Sequence, residues 1–460
     1  MNRPKIRIGY FEKACRTPLF YPHDSHLILT APAGSGKGRD LLIPALLDDN
    51  MKNRSCVVID PKGQLAAVCG HHLQSIGHRV FVLNPFKILP ESFKGLTHAG
   101  FNPLLQLDPS AESFGADCDS FGEAIVYGET GDNSFFSDSA RQLVSGVVMA
   151  LAAYSKPEHR TLVAAMELIS GPGFFRFCSD VVKRGNGMIS ARLSRFTAPK
   201  ANEDRTLIAV LETARTAVGF ISNTAIANSL APTDNGPRLR FSDLRQHPTT
   251  VFLILPTKYL ATSSKWFRLV IAAAMADLLN EGRGAFPVLA LLDEFAQLGT
   301  LKIMSDVMGV GRGYGLQLWP VLQDLNQLQE LYPKRWRTFL ANSGAQIFFA
   351  PRDQFTAKEI SDLCGVTEVH TQSRSVGEVA YDANPQNGHS ESINVSTSYG
   401  QSMRPLLHPH EVIQLSGREM IVFAENIAGP ILGGRRSYLE MSECRGKFRP
   451  DPYHAKRGRA

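Results

Sequence analysis

The chain has 460 residues, 43% hydrophobic and 20% charged, with a mild net charge of +6, which suits a globular protein of two or three domains. No stretch approaches the roughly 20 apolar residues that cross a bilayer as a helix; Leu143–Tyr154 and Leu269–Leu279 are the longest candidates and fall short. Cys15, Cys56, Cys69, Cys118, Cys178, Cys364 and Cys444 are dispersed with no C-x-x-C pair, which excludes a zinc or disulfide framework and points to reduced thiols in the cytosol.

Residues 1–25 carry Arg3, Lys5, Arg7, Lys13 and Arg16, and are too polar and proline-broken for a signal peptide. They read as a basic segment, suited to phosphate backbones or an anionic membrane face, or simply to solvation. The first core strand is His26–Ala31. It runs into Pro32-Ala-Gly-Ser-Gly-Lys-Gly-Arg, the strand–glycine loop–helix order of a P-loop. There Gly34 and Gly36 let successive N–H groups turn inward towards phosphate oxygens, with Ser35 and Gly38 completing the loop. The following helix adds its positive end, and Lys37 is a point charge for the β- and γ-phosphates. The strict pattern asks for Gly at position 31 and Ser or Thr at position 38, where this chain has Ala31 and Gly38. Without that hydroxyl one expected Mg²⁺ ligand is missing, and water is expected to replace it.

Ser55–Asp60 and Arg79–Phe86 are further continuous apolar runs, as expected of strands buried on both faces of a parallel sheet. Between about Leu105 and Pro237 strands give way to helical periodicity, in Phe135–Tyr154, Arg160–Ser170 and Asp204–Leu230, with Pro103, Pro109, Pro232 and Gly236 at the edges. This predicts an all-α domain inserted at 106–238. Strands then resume at Thr250–Leu255, Val288–Asp293, Leu316–Leu322 and Ala345–Ala350, with a long helix over Lys258–Gly282. Pro287-Val-Leu-Ala-Leu-Leu-Asp-Glu-Phe is a hydrophobic strand ending in two carboxylates. Asp293 is placed to hold Mg²⁺ and Glu294 to orient and deprotonate an attacking water. An Asp-initiated turn after a strand is common by itself, but its position downstream of a P-loop points to ATP hydrolysis. Thr371–Ser402 is poor in large apolar residues and predicts a mobile loop or excursion. Arg445, Lys447, Arg449, Lys456, Arg457 and Arg459 make the end basic, so 446–460 reads as a basic tail.

These segments together resemble the type IV secretion coupling proteins of the TraG/VirD type, over residues 26–445. The resemblance rests on Ala31-Pro-Ala-Gly-Ser-Gly-Lys-Gly, Val58-Ile-Asp-Pro-Lys-Gly-Gln, Val82-Leu-Asn-Pro-Phe, Leu292-Asp-Glu-Phe, Gly311-Arg-Gly-Tyr-Gly, Val321-Leu-Gln, Ala341-Asn-Ser-Gly-Ala-Gln and Arg404-Pro-Leu-Leu. It implies an α/β, RecA-like P-loop NTPase domain with a mostly parallel sheet, formed by 26–105 and 239–445 around the inserted all-α domain. It also implies a hexameric ring with ATP and Mg²⁺ between subunits. Arg312 then resembles the arginine that completes a neighbour's site, although a solvated charge in a glycine-rich turn fits the same residue. Gln323 resembles a γ-phosphate sensor, with a structural hydrogen bond to a neighbouring loop as the competing role. Asp60, Lys62 and Gly63 match a family segment without an individual role.

The implied function is an ATP-driven motor delivering DNA, expected to be single-stranded, with a relaxase-type or other protein cargo, to a type IV secretion channel. A nucleotide-binding cargo receptor with little hydrolysis, and a double-stranded DNA translocase outside secretion, remain open alternatives. Family members usually carry an amino-terminal membrane anchor. Here membrane docking is expected from a partner, from the basic termini, or from an anchor outside the given sequence, with the protein cytoplasmic or at the inner face of the cell membrane.

Overall fold

The computed structural model describes residues 5–127, 134–231, 239–280, 282–379 and 392–454. Arg3, Pro232, Gly236, Pro237, Lys456, Arg457 and Arg459 lie outside them, as does the middle of the polar segment, 380–391. Fourteen strands are described: β1 Ile6–Tyr10, β2 Pro18–Tyr21, β3 His26–Thr30, β4 Ser55–Ile59, β5 Arg79–Leu83, β6 Thr97–His98, β7 Thr249–Leu253, β8 Val288–Leu292, β9 Leu316–Leu322, β10 Ser343–Phe348, β11 Val366–Val379, β12 Ser392–Pro405, β13 Glu419–Ala424 and β14 Ile431–Gly434. Twelve of them form one sheet in the order β2-β1-β14-β13-β10-β3-β9-β8-β4-β7-β5-β6. From β10 to β6 every neighbouring pair is parallel, and β13, β14, β1 and β2 extend the sheet antiparallel.

The period-2 geometry of a strand explains the central runs. Ile28, Val57, Ile59, Val251, Leu253, Val288, Ala290 and Leu292 enter one hydrophobic core. Their alternates Leu27, Leu29, Cys56, Val58, Phe252, Leu289 and Leu291 enter the core on the opposite face. Both faces are therefore covered, which is why these strands read as unbroken apolar stretches. The helix Thr257–Asn280 packs on the first face, together with the helices between β6 and β7, among them Phe114–Ile125, Phe135–Tyr154 and Arg205–Val218. Among the described residues no strand lies between β6 and β7. No helix among them is long and apolar enough to cross a membrane.

Pro320 sits inside central strand β9, where a missing N–H would ordinarily break a ladder. The ladder to β3 is short, pairing only Val321 and Leu322 with Leu29 and Thr30. Side chains fill the gap. Gln317 Nε2 donates to the Ser25 carbonyl at 2.6 Å, and His26 Nδ1 accepts from the Leu318 N–H at 2.9 Å. Burial lowers the His26 pKa to about 4, keeping the imidazole neutral so that Nδ1 can accept.

The structure makes three expectations more specific. Within the basic N-terminal segment, residues 6–21 form a hairpin on the sheet. Arg7 is buried there, 2.8 Å from Glu443 and stacked on Tyr10, because β1 turns its long side chain into the fold. Of the two alternatives for Thr371–Ser402, a mobile loop or an excursion, the described parts form an excursion, a ribbon in which β11 and β12 pair antiparallel over their whole lengths. Its ladder satisfies its own backbone, and hydroxyl pairs Ser373–Ser398 (2.7 Å) and Ser375–Ser396 (2.9 Å) link the strands, so it needs no apolar face. The basic tail is anchored over its described part: Lys447 pairs with Asp49 at 2.8 Å, Phe448 packs on the second core, and Arg449 N–H bonds the Val68 carbonyl at 3.0 Å.

Candidate functional site

The strand order brings the predicted site residues other than Arg312 to one edge of the sheet. β3, β9, β8 and β4 are adjacent and parallel, so the segments leaving them emerge together at the carboxyl ends, where open α/β sheets bind ligands. After β3 comes the glycine loop. Gly34 and Gly36 hold φ of 75° and 90°, a left-handed backbone open to glycine at little cost. A β carbon at Gly36 would also lie 2.8 Å from Asp40 Oδ2. Lys37 then starts the helix with no side chain capping it, leaving first-turn N–H groups for a ligand. That helix begins as a wide π-turn over Gly38–Leu42, in which the Ile43 N–H reaches back to the Gly38 carbonyl. Pro44, unable to donate, accounts for the departure from α geometry.

After β8 come the two acids. Lys37 Nζ stands 2.9 Å from Asp293 Oδ1 and 2.7 Å from Glu294 Oε1. Glu294 adopts φ 54°, a left-handed conformation unfavourable by about 1 kcal/mol or more for a side chain of this kind. Burial and the neighbouring Glu294 charge raise the Asp293 pKa against the pull of Lys37. Burial acts upward on Glu294 too, but there the Lys37 ammonium wins and the pKa is lowered. Burial opposes the charge on Lys37, yet the two carboxylates outweigh it and raise its pKa. The loop lysine is thus a fully charged group held by both acids.

Gln323 comes directly after β9, and its Nε2 donates to Glu294 Oε2 at 3.2 Å while its own N–H bonds Gln327 Oε1 at 2.9 Å. Asp60 comes directly after β4, whose Ile59 is in register with Leu292 of β8, so Asp60 and Asp293 leave neighbouring strands side by side. Asp60 is buried, accepts the Ala66 N–H at 2.8 Å, and has its carboxyl pushed up to about 7 by burial, with Asp293 adding to the effect. Among the described residues no cluster of His, Cys, Asp and Glu forms a metal site by itself. A divalent ion at Asp293 would need phosphate or other oxygens to complete its shell.

Arg312 is the predicted residue that does not join this group. It precedes β9 whereas Gln323 comes after it, and seven strand residues at roughly 3.3 Å each put the two about 20 Å apart. Arg312 is exposed, makes no ion pair or side-chain hydrogen bond among the described residues, and lines an open cleft of about 480 Å³ with Ser25, His26, Asn342 and Glu425. Its backbone is held in place, since Arg283 Nη2 donates to the Arg312 carbonyl at 3.1 Å and to Asp24 at 3.2 Å.

Sequence reasoning missed Arg435. This buried residue just beyond β14 donates from Nη1 to the Ser35 carbonyl, lies 3.4 Å from Asp40 Oδ2, and stacks 3.8 Å over the Phe349 ring. It braces the glycine loop from the far end of the chain. The only local signal is a pair of arginines closing a short apolar run, which does not reveal a partner 400 positions away.

Residues 3–455 match a family model described as type IV secretory system conjugative DNA transfer. The conjugal transfer protein TraG of Rhizobium radiobacter is 26% identical over 451 residues, covering 93% of this chain and 65% of that protein. Protein VirD4 of Rhizobium rhizogenes is 26% identical over 469 residues, covering 97% of this chain and 65% of its own length. The chain thus spans just under two thirds of the length of these relatives. Among solved structures, the plasmid coupling protein TrwB in complex with ADP and Mg²⁺ superposes with a TM-score of 0.65 at 16% identity, covering 96% of this chain and 91% of that one. That likeness establishes the shared α/β fold.

Proposed function

Since the chain belongs to the type IV secretory system conjugative DNA transfer family, we propose that it is an ATP-driven coupling motor. It would deliver DNA, single-stranded and bound to a protein cargo, to a type IV secretion channel. The observation that carries this reading is the meeting of Lys37 with Asp293 and Glu294 at 2.9 and 2.7 Å, from segments 257 positions apart. The description of TrwB bound to ADP and Mg²⁺ supports the same ligands here.

The residues fit ATP and Mg²⁺. Ser35 Oγ and Thr30 Oγ1, at the loop and at the strand feeding it, are buried without a hydrogen-bond partner, as polar atoms awaiting a ligand would be. Gly34, Ser35, Gly36, Lys37 and Gly38 would cradle the phosphates, and Asp293 would hold the metal ion. When bound, Mg²⁺ would offset charge on the β- and γ-phosphate oxygens. Lys37 has to leave the carboxylates for the phosphates, since it cannot serve both fully. Its departure removes the charge that depresses Glu294, and the carboxylate becomes a better proton acceptor for the attacking water. Gln323 still donates to Glu294 Oε2 and orients that base, within reach to register loss of the γ-phosphate.

Arg312 lies at the end of β9 opposite to the strand ends that carry its own chain's Lys37 group, which supports its acting on a neighbouring copy and hence a closed ring, a hexamer by family resemblance. Residues 26–105 and 239–445 would form the motor and 106–238 the inserted all-α domain. The motor would work in the cytoplasm at the inner face of the membrane. ATP hydrolysis by the purified chain, with and without single-stranded DNA, tests the reading against Lys37→Ala. Turnover abolished by the substitution is expected. ATP bound without turnover at any protein concentration would leave a nucleotide-binding receptor instead.

A further inference from the structure

On the reading of this site as an ATP–Mg²⁺ pocket, we propose that the side-chain carbonyl of Gln64 stands in for the hydroxyl missing at position 38. It would complete the oxygen shell of the metal ion, directly or through one water. A β carbon built on Gly38 meets a single heavy atom within 4 Å, Gln64 Oε1 at 3.7 Å. The amide oxygen therefore stands over the place where the P-loop pattern puts Ser or Thr. Hard divalent ions take carboxylate, hydroxyl and amide oxygens alike, so the exchange keeps the chemistry.

The direction of the amide is set by its other end. Gln64 Nε2 donates to Asp451 Oδ2 at 2.6 Å. A carboxylate only accepts, so the NH₂ must face Asp451 and the carbonyl must face the P-loop. Asp451 is itself buried, and its other oxygen accepts the Tyr453 N–H at 2.9 Å. The Tyr453 hydroxyl donates to the Lys62 carbonyl at 2.7 Å, tying the same strap to the loop before Gln64. Gln64 also opens the helix Gln64–Ser75, separated by four residues from β4, the strand paired with β8 and its acids. The C-terminal segment thus acts as a positioning element for a residue beside the nucleotide.

The test measures binding of a fluorescent ADP analogue with and without Mg²⁺ by wild type, Gln64→Leu, Asp451→Asn and the double variant Gln64→Leu/Gly38→Ser. Gly38 is in right-handed helical backbone with ordinary contact distance around it, so serine fits. Gln64→Leu should cut the tightening that Mg²⁺ gives by about tenfold and leave metal-free affinity unchanged. Asp451→Asn, whose own amide lets Gln64 turn, should cut it less, and serine at position 38 should restore it. A full Mg²⁺ advantage in Gln64→Leu would overturn the proposal and leave water in that place. An equal loss of metal-free affinity, or no recovery with serine, would reduce Gln64 to packing. Thermal unfolding of each variant separates misfolding from lost binding, with Asp451→Asn as the second probe if Gln64→Leu is unstable. A wild type that binds no ADP would sink the ATP reading itself, whereas ADP binding with an unaltered metal effect in Gln64→Leu sinks only the role of Gln64.

Discussion

Replacing Glu294 with Gln should move ATP affinity and turnover in opposite directions. Lys37 is shared between Glu294 Oε1 at 2.7 Å and Asp293 Oδ1 at 2.9 Å, so an incoming phosphate competes with two carboxylates. The amide keeps the shape of Glu294 and removes one of those charges. A hydrogen bond to a charged group contributes about 1.5–3 kcal/mol. The 28% exposure of the Glu294 side chain places this one at the lower end. ATP binding should therefore tighten by roughly tenfold. The same substitution removes the proton acceptor, and loss of a general base lowers kcat by about 10²–10⁴-fold. Titration with a fluorescent ATP analogue reads the first effect, and steady-state phosphate release reads the second. A kcat within about twofold of wild type would remove Glu294 as the base. Weaker ATP binding would show that Glu294 does not hold Lys37 back from the nucleotide.

Arg312→Ala should lower ATP turnover by about 10³-fold or more, and mixing it with Lys37→Ala should restore part of the activity, because each variant supplies what the other lacks. Mixed samples no more active than either alone would count against action on a neighbouring copy. Asp60→Asn should change how stability depends on pH. The buried carboxyl titrates at about 7 in the fold against an ordinary value of 3.8, so between those values the folded chain holds a proton that the unfolded chain has released. Stability then falls as pH rises through that window, by up to about 4 kcal/mol, and the amide removes the slope. Urea unfolding at about pH 5 and about pH 8 should find the variant gaining on wild type at the higher pH. Parallel pH dependences in the two proteins would refute the assignment.

Some of this was legible from residues alone. The P-loop and the acidic pair are each local patterns, an apolar run followed by residues of defined chemistry, whereas Gln323 entered only through the family resemblance. Seven central strands were visible because apolar residues on both of their faces enter a core, which writes itself as dense hydrophobic runs. The edge of the sheet left no such mark. β1 carries Arg7 among its buried residues, β13 is buried only over Met420–Val422, β14 is short, and the β11–β12 ribbon is held by backbone pairing and serine hydroxyls rather than by a core. Composition alone did not reveal that Arg7 and Lys447 pair with Glu443 and Asp49.

The sequence by itself determined which groups are available for chemistry and that each sits at the end of a strand. Only the tertiary structure decided which ends meet. The insertion of β9 between β3 and β8 sets Gln323 against Glu294 and carries Arg312 to the opposite edge. The return of the chain end brings Arg435 to Ser35 and Asp451 to Gln64. Local patterns record what a segment buries. They hold no record of the partner it is buried against, because that contact forms between segments hundreds of residues apart and depends on the strand order of the whole sheet.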